Sequence, residues 1–255
     1  MELCDAHCHL DFSEFDEDRD EIIALCRVQG VTRFVIPGVT RATWDRLLST
    51  CERYDHAYPA LGLHPYFISE HNDTDLADLK TYVSEHKLYA IGEIGLDYVV
   101  ENLDKTSQQH FFTEQLKIAS ECSLPVIIHA RKAHDDVLSL LSRYKINKGV
   151  IHAYSGSEDQ AIRYINQGFM LGFGGAMTWT RSTRLQSLVA NLPLASIVLE
   201  TDAPDMPPEG HYGQRNSPEF LPEIFQKLCQ LRYESPEQIS AQLTQNVNKV
   251  FNLPI

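Results

Sequence analysis

Eight short apolar runs, each followed by an amphipathic stretch, recur along the chain and restrict its possible folds. The runs lie near 2–8, 32–37, 57–63, 88–93, 125–129, 149–153, 169–173 and 196–201. Val126-Ile127-Ile128 and Ile197-Val198-Leu199 are apolar without alternation, as strands buried on both faces of a parallel sheet must be. The intervening stretches read as helices over 17–29, 41–54, 74–86, 105–122, 131–145, 157–167 and 181–191, and two more follow at 216–231 and 235–251. Gly30 and Gly168 stop the first and sixth helices. Ser157, with Asp159 and Gln160 behind it, makes an acidic helix start. Ser235-Pro236-Glu237 places a cap and a first-turn proline before the last helix. Eight strand–helix repeats in about 250 residues describe an α/β fold, a (β/α)8 TIM barrel. A doubly wound open sheet is the competing arrangement. With 43% hydrophobic residues and no linker or low-complexity segment, residues 1–255 are expected to form one domain.

A barrel carries its active site at the C-terminal ends of its strands. Six candidate metal ligands fall there: His7 and His9 after run 1, Glu93 after run 4, His129 after run 5, His152 after run 6 and Asp202 after run 8. His7 and His9, at i and i+2, leave one face of an extended segment and can share a cation, which Asp202 would complete. His129 and His152, from neighbouring strands, are expected to hold a second cation, with Glu93 as the bridge. Two divalent ions about 3.5–4 Å apart suit hydrolysis of a phosphoester. Imidazole and carboxylate ligands without thiolate favour Mg, Mn or Zn. Asp202 is the expected general base, because a carboxylate beside an activated water can take its proton. Cys8, between the two histidines, is expected to point the other way.

The net charge of −13 argues against a protein that coats polyanions, which relies on Lys and Arg. It leaves a nuclease open, since metal ions concentrate positive charge where a phosphate sits. The six cysteines form no CxxC pair and read as reduced, mostly buried thiols. The opening Met1-Glu2-Leu3-Cys4-Asp5 lacks a basic and apolar leader, and no run reaches the roughly 18 residues of a membrane span. A cytoplasmic location without membrane association is the expectation.

The segments Asp5-Ala6-His7-Cys8-His9-Leu10, Gly62-Leu63-His64-Pro65, Ile91-Gly92-Glu93-Ile94-Gly95-Leu96-Asp97, Pro125-Val126-Ile127-Ile128-His129-Ala130-Arg131 and Leu199-Glu200-Thr201-Asp202-Ala203-Pro204 resemble the TatD family of metal-dependent deoxyribonucleases. The likeness covers nearly the whole chain and looks closest to a YjjV-like branch. It rests chiefly on Gly-Glu-Ile-Gly-Leu-Asp together with Glu-Thr-Asp-Ala-Pro, since His-x-His alone is weak. It implies an amidohydrolase-type barrel, a one- or two-metal centre held by His7, His9, Glu93, His129, His152 and Asp202, and phosphodiester hydrolysis in DNA. Asp205 and Met206 depart from the Tyr-Leu type of pair common after Ala-Pro in the family, which marks the mouth as a place of difference.

Around the ligands, His64 can contact a substrate phosphate or act as leaving-group acid, or simply structure the loop before Pro65. Arg131 can grip a phosphate oxygen through its planar fork. Tyr154 and Ser155 offer hydroxyls beside His152. Asp97, Glu200 and Asp5 can orient ligands from behind. Tyr66, Phe67, Trp179 and Tyr212 lie in loops at the mouth, where aromatic rings can stack on splayed bases or pack the rim. Arg181, Arg184 and Arg215 are on the same side. His56, His71, His86, His110, His134 and His211 read mostly as surface residues. The function expected is metal-dependent DNA hydrolysis with Asp202, Glu93 and His64 as catalytic residues. Strand ends or single strands are the expected substrate, and no obligate protein partner is expected. The alternatives are a hydrolase of small phosphoesters, amides or lactones on the same barrel, and a metal-binding barrel without activity.

Overall fold

The computed structural model describes residues 2–99 and 104–254. Its strands are β1 (Leu3–Asp5), β2 (Val31–Pro37), β3 (Ala57–Leu61), β4 (Ala90–Asp97), β5 (Val126–Arg131), β6 (Gly149–Ile151), β7 (Phe169–Phe173) and β8 (Ile197–Leu199). They form one parallel sheet in chain order. Beyond β1 and β8 the chain closes the ring: Ala6 N–H donates to Leu199 O at 2.9 Å and Asp202 N–H to His7 O at 2.9 Å. The barrel is therefore as the repeat pattern predicts, with no open-sheet edge between β1 and β8.

The outer helices are α1 (Arg19–Val28), α2 (Trp44–Arg53), α3 (Asp73–Glu85), α4 (Lys105–Cys122), α5 (His134–Arg143), α6 (Glu158–Asn166), α7 (Thr183–Asn191), α8 (Leu221–Leu231) and α9 (Pro236–Phe251). Three local departures from the sequence reading have simple causes. α5 starts at His134 rather than 131, because Arg131 still belongs to β5 and Lys132 turns the chain at φ +50. α8 starts at Leu221 rather than 216, because Pro218 opens a 3-10 turn and Pro222 then sits in the first helical turn. β4 runs on to Asp97 with a bulge between Ile91 and Ile94, and this irregularity re-aims Glu93. No helix among the described residues is long and apolar enough to cross a membrane.

Inside the barrel, a floor of small and β-branched residues, including Cys4, Val35, Ala60, Ala90, Ile127, Val150 and Val198, packs against Val247, Val250 and Phe251 of α9. Burial of each large apolar side chain stabilises the fold by about 1.5–3 kcal/mol. α9 is tied across the start of the strands: Asn246 Nδ2 donates to Leu194 O and Ile197 O, and Ser240 Oγ to Glu2 O. One end of the barrel is plugged. The other is left open for polar residues.

Candidate metal centre

At the open end the imidazoles and carboxylates converge. His7 Nε2 lies 3.1 Å from Glu93 Oε2, 3.3 Å from His9 Nε2 and 3.6 Å from Asp202 Oδ1. His9 Nε2 is 3.7 Å from the same Asp202 oxygen. The other Glu93 oxygen, Oε1, is 3.1 Å from both His64 Nε2 and His129 Nδ1. His152 stacks on His7 with ring centroids 3.7 Å apart and brings Nε2 to 3.5 Å from Asp202 Oδ2. All of these groups except the partly exposed His129 and Asp202 are buried.

Three sets of ligand-type atoms each fall within 4.8 Å of one another: His7, His9 and Asp202; His7, Glu93 and His152; and His64, Glu93 and His129. The first set is the one expected. The other two sets both contain Glu93, one placing His129 beside His64 and the other placing His152, stacked on His7, on the opposite side of that carboxylate. Strand order gives the circumference of the mouth, but not how far each side chain reaches over it. Cys8 is fully buried in the main apolar core, apart from these sets.

The cluster fits divalent cations. His7 Nε2 and His9 Nε2 face each other, and the buried His7 Nδ1 has no hydrogen-bond partner. The donors are imidazole nitrogens and carboxylate oxygens, the set favoured by Mg, Mn and Zn. Burial pushes Glu93 up, yet the His64, His7 and His152 rings hold it well below the usual carboxylate range. Burial likewise opposes ionisation of Asp202, and His152 holds its pKa low. For His152, burial favours the neutral ring, but Glu200, Asp202 and Glu93 raise its pKa well above the ordinary value. The carboxylates thus create a negative field that calls for positive charge at their centre.

Outer residues aim the ligands. Asp97 Oδ2 accepts from His129 Nε2 at 3.0 Å, which leaves Nδ1 free to face Glu93. Burial pushes Asp97 up, but the bonds from His129 and from Val99 N–H hold it at about 2. Glu200 Oε1 lies 3.0 Å from His152 Nδ1, close enough for charge attraction though not aligned for a hydrogen bond, and accepts from Ala153 N–H at 2.6 Å. Gly172 makes room for this carboxylate, since a Cβ there would stand 2.3 Å from Glu200 Oε2. Gly95 is required at φ +147, where a Cβ would meet His129 O at 2.0 Å. Asp5 accepts from His7 N–H, Thr201 N–H and Thr201 Oγ1, joining the ends of β1 and β8. Lys132, Ala153 and Asp202 all have positive φ within three residues of strand ends. Such strain persists only where surrounding contacts impose it, and it collects at functional sites.

The remaining expected residues divide. His64 is buried at the mouth; its Nδ1 accepts from Tyr66 N–H at 3.1 Å. A neutral ring accepting at Nδ1 carries its proton on Nε2, so His64 presents an N–H donor toward Glu93 rather than a lone pair. Burial pushes its pKa down to about 4, against the pull of Glu93. Arg131 lines the mouth, half exposed, with Nη1 3.3 Å from Asp97 Oδ2. Ser155 lines it too. Tyr154 does not: it is buried, its hydroxyl donates to Ser157 O, and its ring packs near Tyr164 and Phe173. His134, expected at the surface, is buried with Nδ1 3.2 Å from the Tyr164 hydroxyl.

Asp205 and Met206 line the mouth, where the sequence marks a difference. Several contributors escaped sequence reading. Phe12 stacks on His9 with centroids 4.6 Å apart, and Val39 completes the mouth. Buried Gln115 of α4 bonds both backbone groups of Leu63, and Gln108 bonds both of Asp97. Their seven-residue spacing on one helical face was a usable signal. Asn216, which donates to Thr201 O and Asp205 O, gave none. The mouth cavity measures about 630 Å³, room for a nucleotide-sized ligand.

Residues 4–252 match the family model described as TatD related DNase. The chain is 39% identical over 253 residues to the uncharacterized metal-dependent hydrolase YjjV of Escherichia coli K12, covering 98% of each. It is 34% identical over 260 residues to the 3'-5' ssDNA/RNA exonuclease TatD of Cronobacter sakazakii, covering 98% of this chain and 97% of that protein. Its fold matches the crystal structure of the E. coli YjjV, a TatD homolog, with a TM-score of 0.96 at 39% identity, over 99% of this chain and 98% of that one.

Proposed function

This chain belongs to the TatD related DNase family and is a metal-dependent hydrolase acting on ester bonds, and from that premise we propose that it hydrolyses phosphodiester bonds of DNA at strand ends or in single strands. The observation that carries this reading is the split of Glu93, with Oε2 toward His7 and His9 and Oε1 toward His129. A carboxylate so shared is placed to bridge two cations. His7, His9 and Asp202 would hold one, and His129 with His152 would supply the remaining nitrogen ligands around Glu93. Mg, Mn or Zn bound there would acidify a water and neutralise charge on phosphoryl oxygens.

The chain's own groups take the other roles. Asp202, ionised by its imidazole neighbours, accepts the proton of the attacking water. His64 donates from Nε2 to a phosphoryl or leaving oxygen, a direction set by the Tyr66 N–H at its Nδ1. Arg131, anchored on Asp97, offers its outer guanidinium donors to a phosphate, and Ser155 adds a hydroxyl at the same rim. The net charge of −13 disfavours long duplex, whose binding needs many cationic contacts. The exonuclease name of the Cronobacter relative supports a single-stranded substrate.

The test is degradation of an end-labelled single-stranded oligonucleotide with Mg or Mn, against bis(nitrophenyl) phosphate, an amide and a lactone. Shortening of the oligonucleotide by the native protein and not by Glu93→Ala is expected. An intact oligonucleotide beside rapid turnover of a small ester, amide or lactone would overturn the nuclease reading in favour of a small-substrate hydrolase.

A further inference from the structure

A second cavity adjoins the mouth. It measures about 360 Å³ and is walled by Trp179, Tyr212, Arg181, Pro204 and Pro207, while Asp205 and Met206 line both it and the metal cavity. Asp205 and Met206 thus form a wall common to the two cavities. Trp179 and Tyr212 meet at 86° with centroids 5.3 Å apart, forming a corner. Tyr212 is 77% exposed and Met206 42%. Exposed apolar side chains that line one cavity together mark a ligand-binding surface.

The corner is braced beforehand. Trp179 Nε1 donates to Pro207 O at 3.3 Å, Gln186 Nε2 to Trp179 O at 2.9 Å, and Thr180 N–H to Glu209 Oε2 at 3.0 Å. Charge is present as well. Arg184 is committed to Ser155 O and Gly156 O, and Arg215 to Asp18. Arg181, in contrast, forms no salt bridge among the described residues; its guanidinium carbon lies 4.7 Å from the Trp179 ring centre. A hydrogen-bonded indole, an exposed phenol ring and a cation without a carboxylate partner are what a base and its phosphate require.

We propose that the Trp179–Tyr212 corner is a base-stacking subsite that takes the nucleotide next to the scissile phosphate, with Arg181 meeting a neighbouring phosphate. This deepens the nuclease reading and rests on it. The subsite binds the base face without reading its edge, so it accepts any sequence.

Intrinsic fluorescence tests it, because Trp44 is fully buried and Trp179 is the other of the two tryptophans. The probe is a short phosphorothioate-linked single strand, compared with an abasic strand of equal length, both with Mn present. The base-bearing strand is expected to quench wild-type emission and the abasic strand to leave it unchanged, with Trp179→Phe abolishing the response. Tyr212→Ala should raise the Kd for the base-bearing strand about tenfold and leave the Kd for the abasic strand unchanged. Equal binding of the two strands, or no change in Tyr212→Ala, overturns the subsite. Cleavage of the corresponding phosphodiester strand without base-dependent quenching by the phosphorothioate probe removes the subsite and keeps the nuclease. Quenching by the probe without cleavage of the phosphodiester strand keeps the subsite and removes the nuclease. A probe not bound and a phosphodiester strand not cut remove both.

Discussion

The two ends of the barrel are built from the same eight strands and hold opposite chemistry. At the floor, Cys4, Val35, Ala60 and Val198 meet Val247, Val250 and Phe251 of α9 in an apolar plug. At the mouth, His7 lies within 4 Å of carboxylate oxygens of Glu93 and Asp202, His152 lies within 4 Å of Asp202, and Asp202 holds a positive φ. The floor gains free energy by excluding water. The mouth loses it by burying polar groups, and recovers it when cations arrive. Stability and function are thus separated along the barrel axis, as this fold permits.

The largest test acts on the floor. Phe251 is 2% exposed against the strand starts, so Phe251→Ala should cost about 3–5 kcal/mol in denaturant unfolding. The folded variant should keep native metal stoichiometry and activity below its transition. Loss of metal binding in that folded state would show that the plug shapes the mouth, and the separation would fail.

Next in size is the reverse experiment. With metal at a hundred times its Kd, binding should stabilise wild type by about 2.7 kcal/mol over chelated protein. Phe251→Ala should retain this increment and Glu93→Ala should lose most of it. Glu93→Ala should also lose more than about 100-fold in turnover, beyond the 10–100-fold expected on removing an outer partner. Calorimetry with and without chelator reads the first quantity. An undiminished increment in Glu93→Ala would remove it from the ligand set.

The same axis divides what could be read without a structure. Floor and walls follow from patterns that local sequence carries: helix α4 spans Lys105–Cys122 as its periodicity predicts, and Gly30 and Gly168 turn at positive φ where helices stop. The convergence of the candidate ligands was legible because a strand end is a place in a barrel. Their partnerships were not. His152 stacking on His7, the Tyr154 hydroxyl turning to Ser157, and Asn216 bonding two carbonyls depend on reach and rotamer across the mouth. Residue spacing along one chain carries no record of those distances.

His134 opens α5 on the mouth side, buried but outside the candidate ligand sets. Burial pushes its pKa from 6.5 down to about 4. The unfolded chain therefore takes up a proton first as the medium is acidified. The native state keeps its full advantage above pH 6.5 and loses it progressively toward pH 4, by about 2–3 kcal/mol. Chelated wild type and His134→Gln, unfolded in urea at intervals from pH 7 to 4, should differ by that slope. Parallel curves would mean that His134 is freely protonated in the folded protein.

The smallest effect gives the finest cut, because matching serine capping motifs stand at the two ends. Ser157 and Gln160 cap α6 just beyond the mouth loop, and Ser235 and Gln238 cap α9 at the floor, each pair bonding reciprocally. Ser157→Ala and Ser235→Ala should each cost about 1 kcal/mol, so a stability measurement alone cannot tell them apart. Metal affinity can. Ser157 O receives the Tyr154 hydroxyl, and Arg184 clamps Ser155 O and Gly156 O between that cap and His152. If this bracing holds the loop without the cap, both variants bind Mn with wild-type affinity and the two ends are independent at the level of a single hydrogen bond. If Ser157→Ala alone weakens Mn binding by tenfold or more, helix α6 helps to aim His152, and the boundary between scaffold and site moves outward from the strand ends to the helix cap.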